Sequence, residues 1–150
     1  MSSKLRELVA DLISFPMPTV AAITGHACAA GLIFAFCHDY IVMRKDRGFL
    51  YMSETDIGLK IPAWFIAVIS CKIGDAKVRR DVVLKAKKLK AKQALEKGAV
   101  ELGEKLVKNG WNGQVYGENR KQLYREILDK LGVDETTDDV NNVAIATSKM

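Results

Sequence analysis

The sequence predicts an α/β fold with a helical C-terminal region, and three features of the 150 residues carry that expectation. Short apolar runs bounded by turn residues recur up to residue 52, as strands require. Helical spacing of apolar residues takes over from Pro62 onward. With 49% hydrophobic residues, a chain of this length fills a real core within one domain.

Residues 3–14 place Leu5, Leu8, Val9, Leu12 and Ile13 on one helical face, and Phe15-Pro16-Met17-Pro18 ends that helix because proline cannot continue its hydrogen bonding. A strand over 19–24 follows. The small residues 27–31 allow close backbone approach, and 32–37 continue as a buried helix. Residues 40–43 read as a second strand, 44–48 as a charged turn and 49–52 as a third, short strand.

From Pro62, well suited to a first helical turn, Trp64, Phe65, Val68 and Ile69 form an apolar surface before Gly74. Asp75 can cap the next helix, which carries Val78, Val82 and Val83. A helix over 91–97 closes at Gly98. Two more amphipathic helices, 101–108 and 118–131, flank Asn109-Gly110-Trp111-Asn112-Gly113, and 136–147 is polar enough to be an exposed tail. The expected organisation is a core portion over 1–100, a helical region over 101–135 and a tail over 136–150.

Composition excludes several classes. The apolar run 32–37 stops at His38-Asp39 and is too short to span a bilayer, so no membrane span is expected. Arg6, Glu7 and Asp11 interrupt any secretory signal pattern in residues 1–15, and the protein is expected to stay inside the cell. Cys28, Cys37 and Cys71 are odd in number, lack a CxxC pair and sit in apolar stretches, as buried reduced thiols do; no metal is expected. His26 and His38 read as structural, the Ser53 hydroxyl as a turn or cap contact, and Trp111, Tyr116 and Tyr124 as packing residues. The net charge of +5 includes a run from Lys77 to Lys92 opposed only by Asp81, which reads first as a solvated face, then as a contact for phosphates, with nucleic acid far behind.

The chemistry concentrates in two segments. Pro18-Thr19-Val20-Ala21-Ala22-Ile23-Thr24-Gly25-His26-Ala27-Cys28-Ala29-Ala30-Gly31 runs a strand through a small-residue turn into an apolar helix, which leaves backbone N–H groups free at the helix start. Ser53-Glu54-Thr55-Asp56-Ile57-Gly58-Leu59-Lys60-Ile61-Pro62 places one carboxylate among apolar neighbours just past a strand. A backbone donor for an oxyanion plus one carboxylate suffices to move a proton alpha to a carbonyl.

These segments, with Asp39-Tyr40, Lys92-Gln93-Ala94 and Gly98-Ala99-Val100, resemble the enoyl-CoA hydratase/isomerase (crotonase) superfamily, and more narrowly the plant peroxisomal Δ3-Δ2-enoyl-CoA isomerases, over roughly residues 8–128. The resemblance implies a spiral of ββα units, incomplete here at the N-terminus, with a helical C-terminal region that packs in trimers or covers the site. It places an oxyanion-binding N–H at Ala30 beside Gly31, the catalytic carboxylate at Glu54, and substrate contacts at Gly31, Ile33, Leu59, Pro62, Trp64 and Phe65. Apolar neighbours such as Ile57, Leu59, Ile61, Trp64 and Phe65 suit a carboxylate that works as a base, because desolvation disfavours its charged form.

Crotonase-type hydratases carry a second glutamate at the position of Ile33, so the resemblance implies double-bond migration by one carboxylate rather than hydration. The substrate is an acyl-CoA, with no cofactor beyond the coenzyme A it carries. Full-length members hold further strands before the position of Ser2, including a loop with a second oxyanion N–H, and a further stretch after Val100. A shortened form joining trimers as a catalytically silent partner is the alternative, with a hydratase as another. Ser148-Lys149-Met150 resembles the Ser-Lys-Leu tripeptide address, which implies a peroxisomal import receptor as partner and the peroxisome as location.

Overall fold

The computed structural model describes residues 3–90 and 99–132. After helix α1 (Ser3–Ile13), two ββα units follow one another: β1 (Val20–Ile23), β2 (Ala27–Cys28) and α2 (Ala30–Phe36), then β3 (Tyr40–Met43), β4 (Leu50–Tyr51) and α3 (Ala63–Lys72). Corresponding strands pair in parallel, β1 with β3 from Val20–Tyr40 to Ile23–Met43, and β2 with β4 through Ala27–Leu50 and Cys28–Tyr51. Parallel pairing needs a crossover, and β2 with α2 supplies it between β1 and β3. The two units stack with their strands in separate sheets, giving the expected ββα spiral.

Helix α3 is apolar nearly all round and is buried accordingly, with Trp64, Phe65, Ala67, Val68 and Ile69 inside. Val9, Leu12 and Ile13 of α1, Leu32, Ile33 and Phe36 of α2, and Met52 join the same core. The Trp64 and Phe65 rings meet edge to face at 4.4 Å. Leu8 departs from the expected face of α1 and is 49% exposed, because it lies at the margin of the stripe centred on Val9 and Leu12. Residues 27–28, expected to form part of a turn, form the short strand β2.

Pro62 stands at the N-cap of α3, and Asp75 caps α4 (Ala76–Lys85) by accepting the Val78 N–H at 2.8 Å. Helix α5 (Ala99–Val107) begins two residues before the expected start. The single helix expected over 118–131 is two, α6 (Gly113–Leu123) and α7 (Arg125–Leu131), with the break at Tyr124 (φ −105°, ψ 21°). Helix α6 starts early because Asn112 accepts the Val115 N–H at 3.1 Å. Gly113 and Gly117 let α6 lie on Pro16, where an added Cβ would come within 2.9 Å and 3.4 Å of that residue's backbone. Ile127 and Leu131 of α7 then reach the core beside α3. The expected helix over 91–97, its stop at Gly98 and the tail over 136–150 lie outside the described residues.

All three cysteines are free, yet only Cys37 is fully buried. Cys28 is half-buried, and Cys71 is exposed in the last turn of α3, beyond the stretch from Trp64 to Ile69 that enters the core. Desolvation pushes the Cys37 thiol up from 9.0 to about 12, against the opposing pull of Lys72 and Arg120. The folded chain thus keeps a proton that the unfolded chain releases above pH 9.0, so this contribution to stability is intact below pH 9.0 and is lost as pH rises toward about 12. Urea titrations at rising alkaline pH should show unfolding free energy falling by up to about 1.4 kcal/mol per pH unit from this one group. Cys37→Ala should remove the part of the decline that begins near pH 9.0.

Candidate active site

Glu54 sits at the start of a hydrogen-bonded turn that leaves β4. Its carbonyl accepts N–H groups from Leu59 at 2.8 Å and Ile57 at 3.2 Å, and the Ser53 carbonyl accepts from Asp56 at 3.1 Å. Gly58 supplies the left-handed residue that closes the turn, at φ 71°. The Thr55 hydroxyl donates to the Val83 carbonyl at 2.7 Å and pins the turn to α4. Glu54 itself is only 8% exposed, and its Oε2 has no hydrogen-bond partner among the described residues. A buried polar atom without a partner costs about 1–3 kcal/mol, more when charged, and calls for a functional explanation.

The second half of the site is the passage from β2 into α2. Ala29 holds φ 51° and ψ −122°, a conformation that costs a residue with a Cβ about 1–3 kcal/mol. The ladder to the second unit holds it there: the Ala27 N–H donates to Phe49 at 2.9 Å and the Ala29 N–H to Tyr51 at 3.1 Å. The N-cap residue of α2 is Ala29, which makes no side-chain cap hydrogen bond. Gly31 lies beside Ala30 and lines a cavity of about 550 Å³ with β1, Phe34 and His38. A Cβ on Gly31 would meet nothing within 4 Å, so this glycine does not serve the close backbone approach expected of residues 27–31.

Strand pairing brings these halves together. Cys28 is the register partner of Tyr51, with Ala30 two residues beyond one and Glu54 three beyond the other. The remaining expected contacts differ in exposure. Ile33 and Phe65 are 0% exposed and Trp64 2% exposed within the core, whereas Leu59 and Ile57 are 60% and 64% exposed. Pro62 is half-buried, and its carbonyl accepts the Phe65 and Ile66 N–H groups at 3.0 and 3.2 Å. Ser148, Lys149 and Met150 lie outside the described residues.

His26 stacks on Phe49 with centroids 5.4 Å apart, and His38 Nδ1 pairs with the Phe34 carbonyl at 2.9 Å. No group of three or more His, Cys, Asp or Glu side chains among the described residues could hold a metal ion. In the basic run, Lys85 and Lys87 reach Asp81 at 3.1 and 3.3 Å and hold its carboxyl below the usual range, while Lys88 and Lys90 lie over the Tyr51 and Phe49 rings. No helix of the described residues is long and apolar enough to cross a membrane. The Ser53 hydroxyl, expected to serve its own turn, instead meets the Cys28 thiol at 3.3 Å. Nothing in local sequence signals that contact, because its partners lie 25 residues apart.

A family model described as enoyl-CoA hydratase/isomerase matches residues 1–107. The chain belongs to the enoyl-CoA hydratase/isomerase family. It is 54% identical over 143 residues to enoyl-CoA delta isomerase 1, peroxisomal, of Arabidopsis thaliana, covering 85% of this chain and 60% of that protein. Identity to the same plant's enoyl-CoA delta isomerase 2, peroxisomal, is 45% over 150 residues, covering 89% and 62%. This member of the family therefore spans 60–62% of the length of those two relatives.

Solved structures agree on the fold. A probable enoyl-CoA hydratase of Mycobacterium tuberculosis superposes with a TM-score of 0.80 at 21% identity, covering 98% of this chain and 67% of that one. An enoyl-CoA hydratase of Mycobacterium marinum gives 0.73 at 23% identity, covering 86% and 62%. The crotonase-like spiral is thus the fold of this enoyl-CoA hydratase/isomerase family member.

Proposed function

We propose that this chain carries the site of an enoyl-CoA delta isomerase, which shifts the double bond of a 3-enoyl-CoA to give the trans-2-enoyl-CoA. The observation that carries the proposal is the buried Glu54 Oε2, without a hydrogen-bond partner among the described residues, on a turn hung from the strand that pairs with the approach to Ala30. Glu54 takes a proton from C2 of the acyl group. Charge developing on the thioester oxygen of the resulting dienolate is met by the Ala30 N–H, an interaction of about 3 kcal/mol by comparison with other oxyanion donors. Glu54 then returns the proton to C4, and the double bond ends conjugated with the carbonyl.

One carboxylate suffices for this shuttle, whereas hydration needs two groups to activate water and deliver a proton. Position 33 is a core isoleucine, which favours the isomerase over the hydratase. The proposed substrate contacts are Gly31, which borders the cavity beside Ala30, and Pro62 and Leu59 on the approach to α3. Ile33, Trp64 and Phe65, the other contacts the resemblance implies, pack in the core. Coenzyme A enters as part of the substrate, and no separate cofactor takes part.

The proposed setting is beta-oxidation of unsaturated fatty acids in the peroxisome, supported by the relatives' names and by Ser148-Lys149-Met150 as an address for an import receptor. Exposed apolar side chains on the helical region support self-association, as a trimer on family resemblance: Val107 is 80% exposed, Leu123 70%, Val115 57% and Trp111 47%. The proposed organisation keeps a core portion over 1–100, helices over 101–135 and an accessible tail over 136–150. Conversion of a 3-enoyl-CoA to the conjugated 2-enoyl-CoA by the purified 150-residue chain tests the activity. Turnover is expected, and its absence from the folded chain would promote the alternative of a silent partner in assemblies of longer subunits.

A further inference from the structure

We propose that Cys28 and Ser53 form a positioning pair that sets the distance between the Glu54 carboxylate and the Ala30 amide. The inference rests on the isomerase reading. Each side chain belongs to one half of the site: Cys28 ends β2, two residues before Ala30, and Ser53 immediately precedes Glu54. Their Sγ and Oγ atoms are 3.3 Å apart across 25 residues of sequence, a partly buried side-chain contact joining the two halves. Cys28 is the register partner of Tyr51, whose phenol it holds above the ordinary pKa.

The need for such a pair follows from how the Glu54 turn is held. At its outer side the turn is fixed to α4 by the Thr55 hydroxyl on Val83, an anchor independent of β2. Toward β2 the backbone link is the Ala29 N–H on the Tyr51 carbonyl, three residues short of Glu54. Between that link and the carboxylate, the Cys28–Ser53 contact ties the turn to the oxyanion side. A displacement on the order of 1 Å in such a site costs about 100-fold in rate, so even partial slack in this tie registers in turnover.

The experiment measures kcat and KM for the 3-enoyl-CoA separately in Cys28→Ala, Ser53→Ala, the double variant and Cys28→Ser. Alongside turnover it measures amide hydrogen exchange at Leu59, whose N–H is held by the Glu54 carbonyl, with Ile73 at the C-cap of α3 as control. Each alanine variant should lose about tenfold in kcat with KM unchanged, the double variant should lose no more than either single one, and Cys28→Ser, which keeps a polar partner, should recover most of the loss. Leu59 should exchange faster in the alanine variants while Ile73 does not change. Unchanged kcat, losses that multiply in the double variant, or unchanged Leu59 exchange would overturn the pair. A wild-type chain without turnover would overturn the isomerase reading alone, and Leu59 exchange would still decide whether the pair holds the Glu54 turn.

Discussion

Arg120→Ala should lower the unfolding free energy by about 3–5 kcal/mol, a large share of the roughly 5–15 kcal/mol that holds a domain of this size together. The guanidinium is 3% exposed and acts as the junction of four segments. Its Nε donates to Asp39 at 2.8 Å, Nη2 to the Thr19 hydroxyl at 2.8 Å and the Cys37 carbonyl at 3.1 Å, and Nη1 to the Leu12 carbonyl. Asp39 in turn accepts the Thr19 N–H at 2.8 Å and hydroxyl at 3.0 Å. Truncation leaves a largely buried carboxylate without its cation and takes a donor from the Leu12 and Cys37 carbonyls, which costs far more than the ion pair alone would contribute.

Lysine cannot replace the planar fork that serves four acceptors, so Arg120→Lys should recover only part of the loss. Lys121→Ala offers the contrast: its pair with Glu118 at 2.9 Å is exposed, and its removal should cost less than about 1 kcal/mol. Urea denaturation of the three variants checks the order. An Arg120→Ala midpoint equal to wild type would refute the junction.

Glu54→Gln should cost about 10²–10⁴-fold in isomerase turnover, because the amide keeps the shape of the side chain but cannot carry the proton from C2 to C4. The same substitution should leave the unfolding midpoint equal to or above that of wild type. A neutral amide is less costly to bury than a carboxylate, and Oε2 has no partner among the described residues to lose. A site residue whose removal abolishes turnover while sparing or raising stability is what a strained functional position predicts. A variant that lost activity and stability together would point to Glu54 as a structural residue instead.

What was legible in the sequence is what local rules govern. The strands around Val20 and Tyr40, the helix beginning after Pro62 and the Asp75 cap each follow from residue type and spacing within a few positions. Motif context singles out Glu54 and Ala30, and strand pairing sets their segments side by side. The missed features depend on partners far away in the chain. Ala27–Cys28 is a strand only because Leu50–Tyr51 lies beside it, and Arg120 is indispensable only because Asp39, 81 residues earlier, faces it. Asn112 was a readable cap signal inside a stretch taken as a linker, and the break at Tyr124 coincides with its hydroxyl meeting the Lys72 ammonium at 2.6 Å. Hydrophobicity alone does not tell the core, where Trp64 and Phe65 go, from the exposed turn of Ile57 and Leu59.

The most direct measurement of the single-carboxylate shuttle follows an isotope through one turnover by the wild-type chain. A 3-enoyl-CoA deuterated at C2 is converted in ordinary water, and the 2-enoyl-CoA product is analysed for deuterium at C4. The shuttle predicts that part of the label reappears at C4, because the group that removes it also returns it before complete exchange with solvent. Product with no deuterium at C4 in any molecule would contradict direct return of the removed proton.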